Sequence, residues 1–134
     1  MGEGQEVGFR AIMTKQLSEA DVALFELVTR DDTPALDEPP APVRKPRQAA
    51  PFALLSAFLA SAVARVTHQP GYPRFRHQSI HFSAPAYTDD ILTAVAELRE
   101  HDTASRDLRI YAWCDNQEGM RLAEGDFTLV DERG

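Results

Sequence analysis

The chain has 134 residues, which suits a single domain with a substantial core and is short for two domains. Its formal net charge of −7 argues against general nucleic-acid binding, which needs an excess of Lys and Arg to neutralise phosphates. The longest apolar-rich stretch, residues 49–66, is interrupted by Pro51 and Arg65, so we expect a buried helix there and no membrane span. The single cysteine, Cys114, excludes an internal disulfide and suits a cytoplasmic protein.

The first two predicted elements are a strand and a helix. Apolar residues alternate with more polar ones from Val7 to Thr14, which predicts the strand. Ser18 follows as a predicted helix N-cap, because its side-chain oxygen can accept a hydrogen bond from the first free amides. Apolar residues at helical spacing then predict a helix that ends at about Thr29.

A proline-rich segment, residues 31–48, separates this helix from the next. Each proline removes an amide donor and fixes φ, so the segment is predicted to be a loop without a regular ladder. A loop of this length inside a compact domain is uncommon and is often functional.

Residues 52–66 are apolar almost all round, which predicts a helix buried at the centre of the fold. Pro51 suits the first helical position, where its missing N–H costs nothing. The rest of the chain is predicted to form four strands joined by short turns. These are Arg74–Ser83, Ile91–Glu100, Leu108–Cys114 and Met120–Val130. Hairpin connections imply an antiparallel sheet, and one apolar helix beside it implies α+β layer packing.

Short motifs along the chain point to a family. Residues 30–37 read Arg-Asp-Asp-Thr-Pro-Ala-Leu-Asp, residues 82–90 read Phe-Ser-Ala-Pro-Ala-Tyr-Thr-Asp-Asp, and residues 114–119 read Cys-Asp-Asn-Gln-Glu-Gly. With Gly125 in the last strand, they resemble the Gly-Asp-x-Asn-Pro-x-His-x-Asp, Phe-x-x-Pro-Val-x-x-Gly-Asp and Asn-Gln-x-Gly motifs of the MaoC-like (R)-specific enoyl-thioester hydratase/dehydratase family. The resemblance implies a single α+β hot-dog domain over residues 1–134, in which an antiparallel sheet wraps a long central helix.

The resemblance also implies a catalytic centre, but half of it is replaced. The family's catalytic Asp corresponds to Asp31, whereas its catalytic His corresponds to Leu36. Hydration of an α,β double bond needs one group to activate water and another to protonate the α-carbon. Asp31 can take one of these roles, and Leu36 can take neither. The residues alone also allow a simpler interpretation, in which Asp31 and Asp32 only cap a turn.

Further substrate contacts are implied in the same loop and at the start of the central helix, where Ala50-Pro51 replaces the family's His-Gly. They are Thr33, Pro34, Leu36, Ala50 and Phe52. A basic cluster lies near the end of the same loop, and it is either a solvated loop surface or a contact for the phosphates of coenzyme A or for an acidic carrier protein. It consists of Arg44, Lys45 and Arg47.

Three functions stay open at this point. The chain is an active lyase on an acyl-CoA or acyl-carrier thioester, a non-catalytic subunit of a heteromeric dehydratase, or a thioesterase of the same fold. The resemblance implies a homodimer or a heterodimer with a related chain, and no metal or other cofactor.

For two other sets of reactive side chains, the sequence favours a structural role over metal binding or catalysis. His77 and His81 share one face of a predicted strand, but zinc needs a third ligand that the neighbouring sequence lacks, so a polar or subunit-facing surface is favoured. Cys114 would act as a nucleophile only beside a base that lowers its pKa, so core packing is favoured for it.

Overall fold

A computed structural model describes residues 6–29, 49–67 and 73–132. These residues form two helices and one sheet of five strands. The elements are β1 (Arg10–Gln16), α1 (Glu19–Thr29), α2 (Phe52–Arg65), β2 (Phe75–Phe82), β3 (Ile91–Asp102), β4 (Asp107–Asp115) and β5 (Arg121–Val130). The sheet order is β1-β3-β4-β5-β2, and every neighbouring pair is antiparallel. The predicted order of elements and the antiparallel sheet are therefore confirmed.

The core lies between α2 and one face of the sheet. Strand β3 shows why, since Leu92, Ala94, Ala96 and Leu98 are buried while the residues between them are at least partly exposed. This period of two places one row of side chains against the helix, as the sequence alternation predicts. Neither helix in the described ranges is long and apolar enough to cross a membrane.

The first strand begins at Arg10, and not at Val7 as predicted. Gly8 has a φ of +97°, and the amide of Phe9 donates to the carbonyl oxygen of Glu6 at 2.9 Å. Gly8 and Phe9 still exchange hydrogen bonds with Leu98 of β3, at 2.7 and 2.9 Å, but the turn interrupts the extended backbone, so the regular strand begins only at Arg10.

Helix α2 packs against the sheet as the predicted central helix, and in the single chain it is buried on one side only. Leu55, Leu59 and Val63 are fully buried against the sheet. On the other side Ala57 and Ser61 are exposed. The reason is that one sheet can cover only one face of a helix.

Strand β2 passes very close to β5 at Gly125. A Cβ atom on this residue would lie 2.2 Å from the backbone oxygen of Ser79. The glycine that the sequence motif singles out is therefore required by the close approach of two backbones.

Candidate functional site

An apolar cavity of about 390 Å³ lies between the two helices and the β1 side of the sheet. Its apolar lining consists of Met13, Leu17, Leu24, Phe25, Val28, Ala50, Leu54, Leu55, Ala57, Phe58 and Leu92. Three polar residues also line it, Lys15, Asp21 and Ser61. A concave, mostly apolar space with few polar groups is the usual form of a small-molecule site.

The cavity exists because α1 packs loosely. Among the side chains of α1 that the structure describes, only Val22 is fully buried. Leu24 and Leu27 remain 64% and 57% exposed, and Val28 is 80% exposed. A helix with this much exposed apolar surface leaves its neighbour α2 uncovered along the groove between them.

A charged pair lies at one end of the cavity. The Nζ atom of Lys15 is 3.2 Å from Oδ2 of Asp21. The same Oδ2 accepts from the backbone amide of Ser18 at 2.9 Å, and the amide of Asp21 donates to Oγ of Ser18 at 3.1 Å. This reciprocal cap confirms Ser18 as the N-cap of α1 and fixes the carboxylate in place. The hydrogen bond from the Ser18 amide, assisted by Lys15, lowers the pKa of Asp21 below its usual value of 3.8.

One turn, residues 86–90, ties the end of β1 to the start of α2. The amide of Ala50 donates to the oxygen of Ala86, and the amide of Leu17 donates to the oxygen of Asp90, both at 2.8 Å. The N-terminus of α2 and the Lys15–Asp21 pair therefore lie at the same end of the cavity.

The turn itself is held by a buried carboxylate. Asp90 is 2% exposed, and its side chain accepts from the amide of Tyr87 at 2.9 Å and from Nε2 of Gln117 at 3.1 Å. Asp89 takes the position where the motif has glycine, and it has a φ of +78°. The motif at residues 82–90 and the motif at residues 114–119 therefore meet through Asp90 and Gln117, and together they stabilise this corner of the fold.

The start of α2 differs slightly from the prediction. Pro51 precedes the helix as its N-cap and is not the first helical residue, and no side chain caps this end. Of the two predicted contacts in this region, Ala50 lines the cavity. Phe52 is 45% exposed and packs its ring against Phe82 with centroids 5.0 Å apart, so its contact with a ligand stays a prediction.

The other predicted site residues lie outside the described ranges, between α1 and Ala49. They are Asp31, Thr33, Pro34, Leu36, Arg44, Lys45 and Arg47. The proposed roles of these residues therefore stay predictions, as does the turn-capping alternative for Asp32.

Cys114 is unsuited to nucleophilic catalysis. Its side chain is fully buried in the core, and burial together with the charge of Asp115 raises the pKa of its thiol to about 12. Since the thiolate is the nucleophile, the thiol form at neutral pH is inert. Core packing, the interpretation favoured by the sequence, is confirmed.

The sequence interpretation missed the charged end of the cavity. Lys15 continues the inward-facing row of β1 that begins with Phe9, Ala11 and Met13, all of which pack against the core. A lysine in phase with such a row is a detectable signal. Both histidines of β2, His77 and His81, are exposed, and no group of three or more metal-binding side chains is found in the described part of the chain.

No family model and no curated protein matches this chain. Solved structures do match it. The unliganded R-hydratase PhaJ1 from Pseudomonas aeruginosa is 25% identical with a TM-score of 0.74, over 93% of this chain and 81% of that one. The (R)-hydratase from A. caviae involved in PHA biosynthesis is 18% identical with a TM-score of 0.75, over 96% and 98% of the two chains. A hypothetical thioesterase with coenzyme A from Streptococcus pneumoniae is 16% identical with a TM-score of 0.66, over 96% and 81%.

These similarities confirm the hot-dog fold and the structural resemblance to MaoC-like (R)-hydratases that the motifs indicate. The hypothetical thioesterase from Streptococcus pneumoniae shares the fold as well.

Proposed function

We propose that this protein binds an acyl thioester, carried by coenzyme A or by a carrier protein, with the acyl chain in the cavity between α1 and α2. The observation that carries the proposal is the cavity of about 390 Å³, which has an almost wholly apolar wall. Each methylene that leaves water there stabilises the complex by about 0.8 kcal/mol. The similar thioesterase structure that holds coenzyme A supports the choice of carrier.

The favoured reaction type is hydration of an enoyl thioester or its reverse. In hydration, water adds its hydroxyl to the β-carbon and a proton to the α-carbon. Asp31, two residues beyond the end of α1 in the sequence, is the proposed base that takes a proton from water. Leu36 cannot donate the proton that the α-carbon receives, so an active enzyme needs a proton donor from elsewhere in the assembly.

A related proposal is a non-catalytic subunit that pairs with an active homologue. Loss of a positioned acid–base group typically lowers a rate about 10²–10⁴-fold, which favours this role. Strand β2 pairs only with β5 in the described sheet, so its other edge is open to a second chain. A homodimer or heterodimer in the cytoplasm is part of the proposal.

Thioester hydrolysis is the second candidate, favoured by the thioesterases among the similar structures. Asp31 would then activate water for attack on the thioester carbonyl. The buried thiol of Cys114 leaves a covalent cysteine mechanism without a nucleophile.

Calorimetric binding of octanoyl-CoA to the purified protein tests the binding site. Ala57 is exposed on α2 and lines the cavity, so Ala57→Phe should fill it and weaken binding about tenfold or more. Ala53→Phe is the matched control, because Ala53 is also exposed on α2 and is absent from the cavity wall. Equal affinities for both variants and the wild type would contradict the proposed site.

Two activity assays separate the reactions. Hydration of crotonyl-CoA that persists unchanged in Asp31→Asn would exclude Asp31 as the base. Absence of thiol release from a panel of acyl-CoAs would count against hydrolysis.

A protein that forms only homodimers when mixed with a related hot-dog chain encoded beside it would exclude the heteromeric role.

The basic cluster has its own test. If Arg44, Lys45 and Arg47 contact phosphates, replacing all three by Gln weakens the binding of coenzyme A at low salt and has little effect at high salt. Unchanged binding at low salt would assign the cluster to a solvated surface.

A further inference from the structure

The charged pair Lys15–Asp21 is unusual in its position, since it lies in the wall of an otherwise apolar cavity. Lys15 extends the inward row of β1, so its aliphatic stem continues the apolar wall beyond Met13. Its side chain is 52% exposed, which places the ammonium group at the rim. A cation held there meets any ligand that enters the cavity from this end.

Asp21 holds the ammonium group in a fixed position. The carboxylate is anchored to the first turn of α1 by the Ser18 amide at 2.9 Å, and it pairs with Lys15 through the same oxygen atom. An ammonium group has three N–H donors, and this pair occupies one of them. The others are available for an oxygen atom of a bound molecule.

The fixed carboxylate also limits what that molecule can be. A ligand anion beside Lys15 would be repelled by Asp21, which is ionised at neutral pH, as an aspartate with a pKa at or below its usual value always is. A neutral carbonyl oxygen accepts a hydrogen bond without this penalty. The thioester group itself has one such oxygen, at the point where the apolar chain begins.

We propose that Lys15 donates a hydrogen bond to the carbonyl oxygen of the bound thioester, and that Asp21 positions the ammonium group for it. The inference rests on the proposed function, in which an acyl thioester occupies the cavity. The hydrogen bond selects thioesters over other ligands with the same chain and carrier, and it withdraws electron density from the carbonyl group.

The test compares octanoyl-CoA with the thioether S-octyl-CoA, which has the same chain length and carrier but lacks the carbonyl oxygen. We expect the wild type to bind octanoyl-CoA about tenfold more tightly than S-octyl-CoA, because a hydrogen bond from a charged donor typically contributes at least this much affinity. Lys15→Met should abolish this preference, and Lys15→Arg should keep part of it. Arg10→Met is the matched control, because Arg10 lies on the same strand, pairs with Glu97 at 3.1 Å and is absent from the cavity wall.

Asp21→Asn tests the positioning role. Asn can still accept from the Ser18 amide, so the cap remains while the ion pair is lost. The thioester preference should fall although the affinity for the thioether stays the same. An unchanged preference would contradict positioning by Asp21.

The outcomes separate the two proposals. If the wild type binds neither ligand, the proposed function fails and this inference fails with it. If it binds both ligands equally, or if Lys15→Met keeps the preference or weakens both ligands to the same extent, the inference is overturned while thioester binding stands. The infrared carbonyl stretch of bound ¹³C-labelled octanoyl-CoA needs no variant; a lower frequency than in solution supports the hydrogen bond, and an unchanged frequency overturns it.

Discussion

One residue at the corner of the cavity, Asp89, has an unusual backbone conformation. Asp89 has a φ of +78° in the turn that is hydrogen-bonded to the end of β1 and to the segment that leads into α2. A side chain in this region costs about 1–2 kcal/mol, whereas glycine adopts it freely but loses about 0.5–1 kcal/mol of chain entropy on folding.

Asp89→Gly is therefore expected to stabilise the protein by about 0.5–1 kcal/mol. The measurement is the midpoint of urea unfolding. Asp89→Ala removes the same carboxylate and keeps a Cβ atom, so it should lower the midpoint. A lower midpoint for Asp89→Gly would contradict the backbone argument.

Gly125 should tolerate no side chain. Its Cβ would lie 2.2 Å from the backbone oxygen of Ser79, so Gly125→Ala must separate β2 from β5 and should cost about 2–3 kcal/mol. Gly119→Ala is the comparison, because Gly119 has open space but a φ of +77° and should lose only about 1 kcal/mol. Equal losses in the two urea unfolding curves would refute the steric explanation.

Asp21 should link stability to acid pH. Its pKa is lowered in the folded state by the Ser18 amide first and by Lys15 as well. The stability it contributes is therefore present above the unfolded pKa of about 3.8 and is lost as the pH falls through the folded pKa. We expect Asp21→Asn to be less stable than the wild type at pH 7, with a difference that shrinks steadily below pH 4. Glu26→Gln, on an exposed position of the same helix, serves as the control, and a difference that is independent of pH would contradict the assignment.

At the scale of elements, α1 is the weakly held part of the fold. It has one fully buried side chain among those described, whereas α2 has four. Local opening is easiest where few apolar contacts are lost. The groove that forms the cavity and the looseness of α1 therefore have the same cause.

Hydrogen exchange followed by mass spectrometry should show this difference. We expect amides of α1 to exchange much faster than those of α2, and octanoyl-CoA to slow α1 more than β4, which lies away from the cavity. Coenzyme A without an acyl chain is the control ligand. Equal protection of both helices in the free protein would contradict the account.

Much of the fold follows from the sequence because its signals are local. The alternation in β3 and the Ser18 cap are each visible within a few residues, and the structure confirms both. The one-sided burial of α2 could not be predicted from the sequence, because an apolar helix has the same pattern whether one or several neighbouring elements cover it. The cavity depends on the distance between two helices far apart in sequence, and Lys15 becomes notable only once that space is known.

At the scale of the whole molecule, the sheet covers one face of α2, and the cavity lies beside that face, between α2, α1 and the β1 side of the sheet. The hot-dog fold supplies the groove, and the side chains of this chain make it apolar with one charged end. Thioester binding in this groove is the central claim, since every proposed reaction begins with it.

The most direct test is a calorimetric series of saturated acyl-CoAs of increasing chain length against the wild-type protein, with coenzyme A as the reference. If the acyl chain enters the cavity, binding should strengthen by up to about 0.8 kcal/mol for each added methylene and stop strengthening once the cavity is full. An affinity that is the same for every chain length and equal to that of coenzyme A would contradict the account.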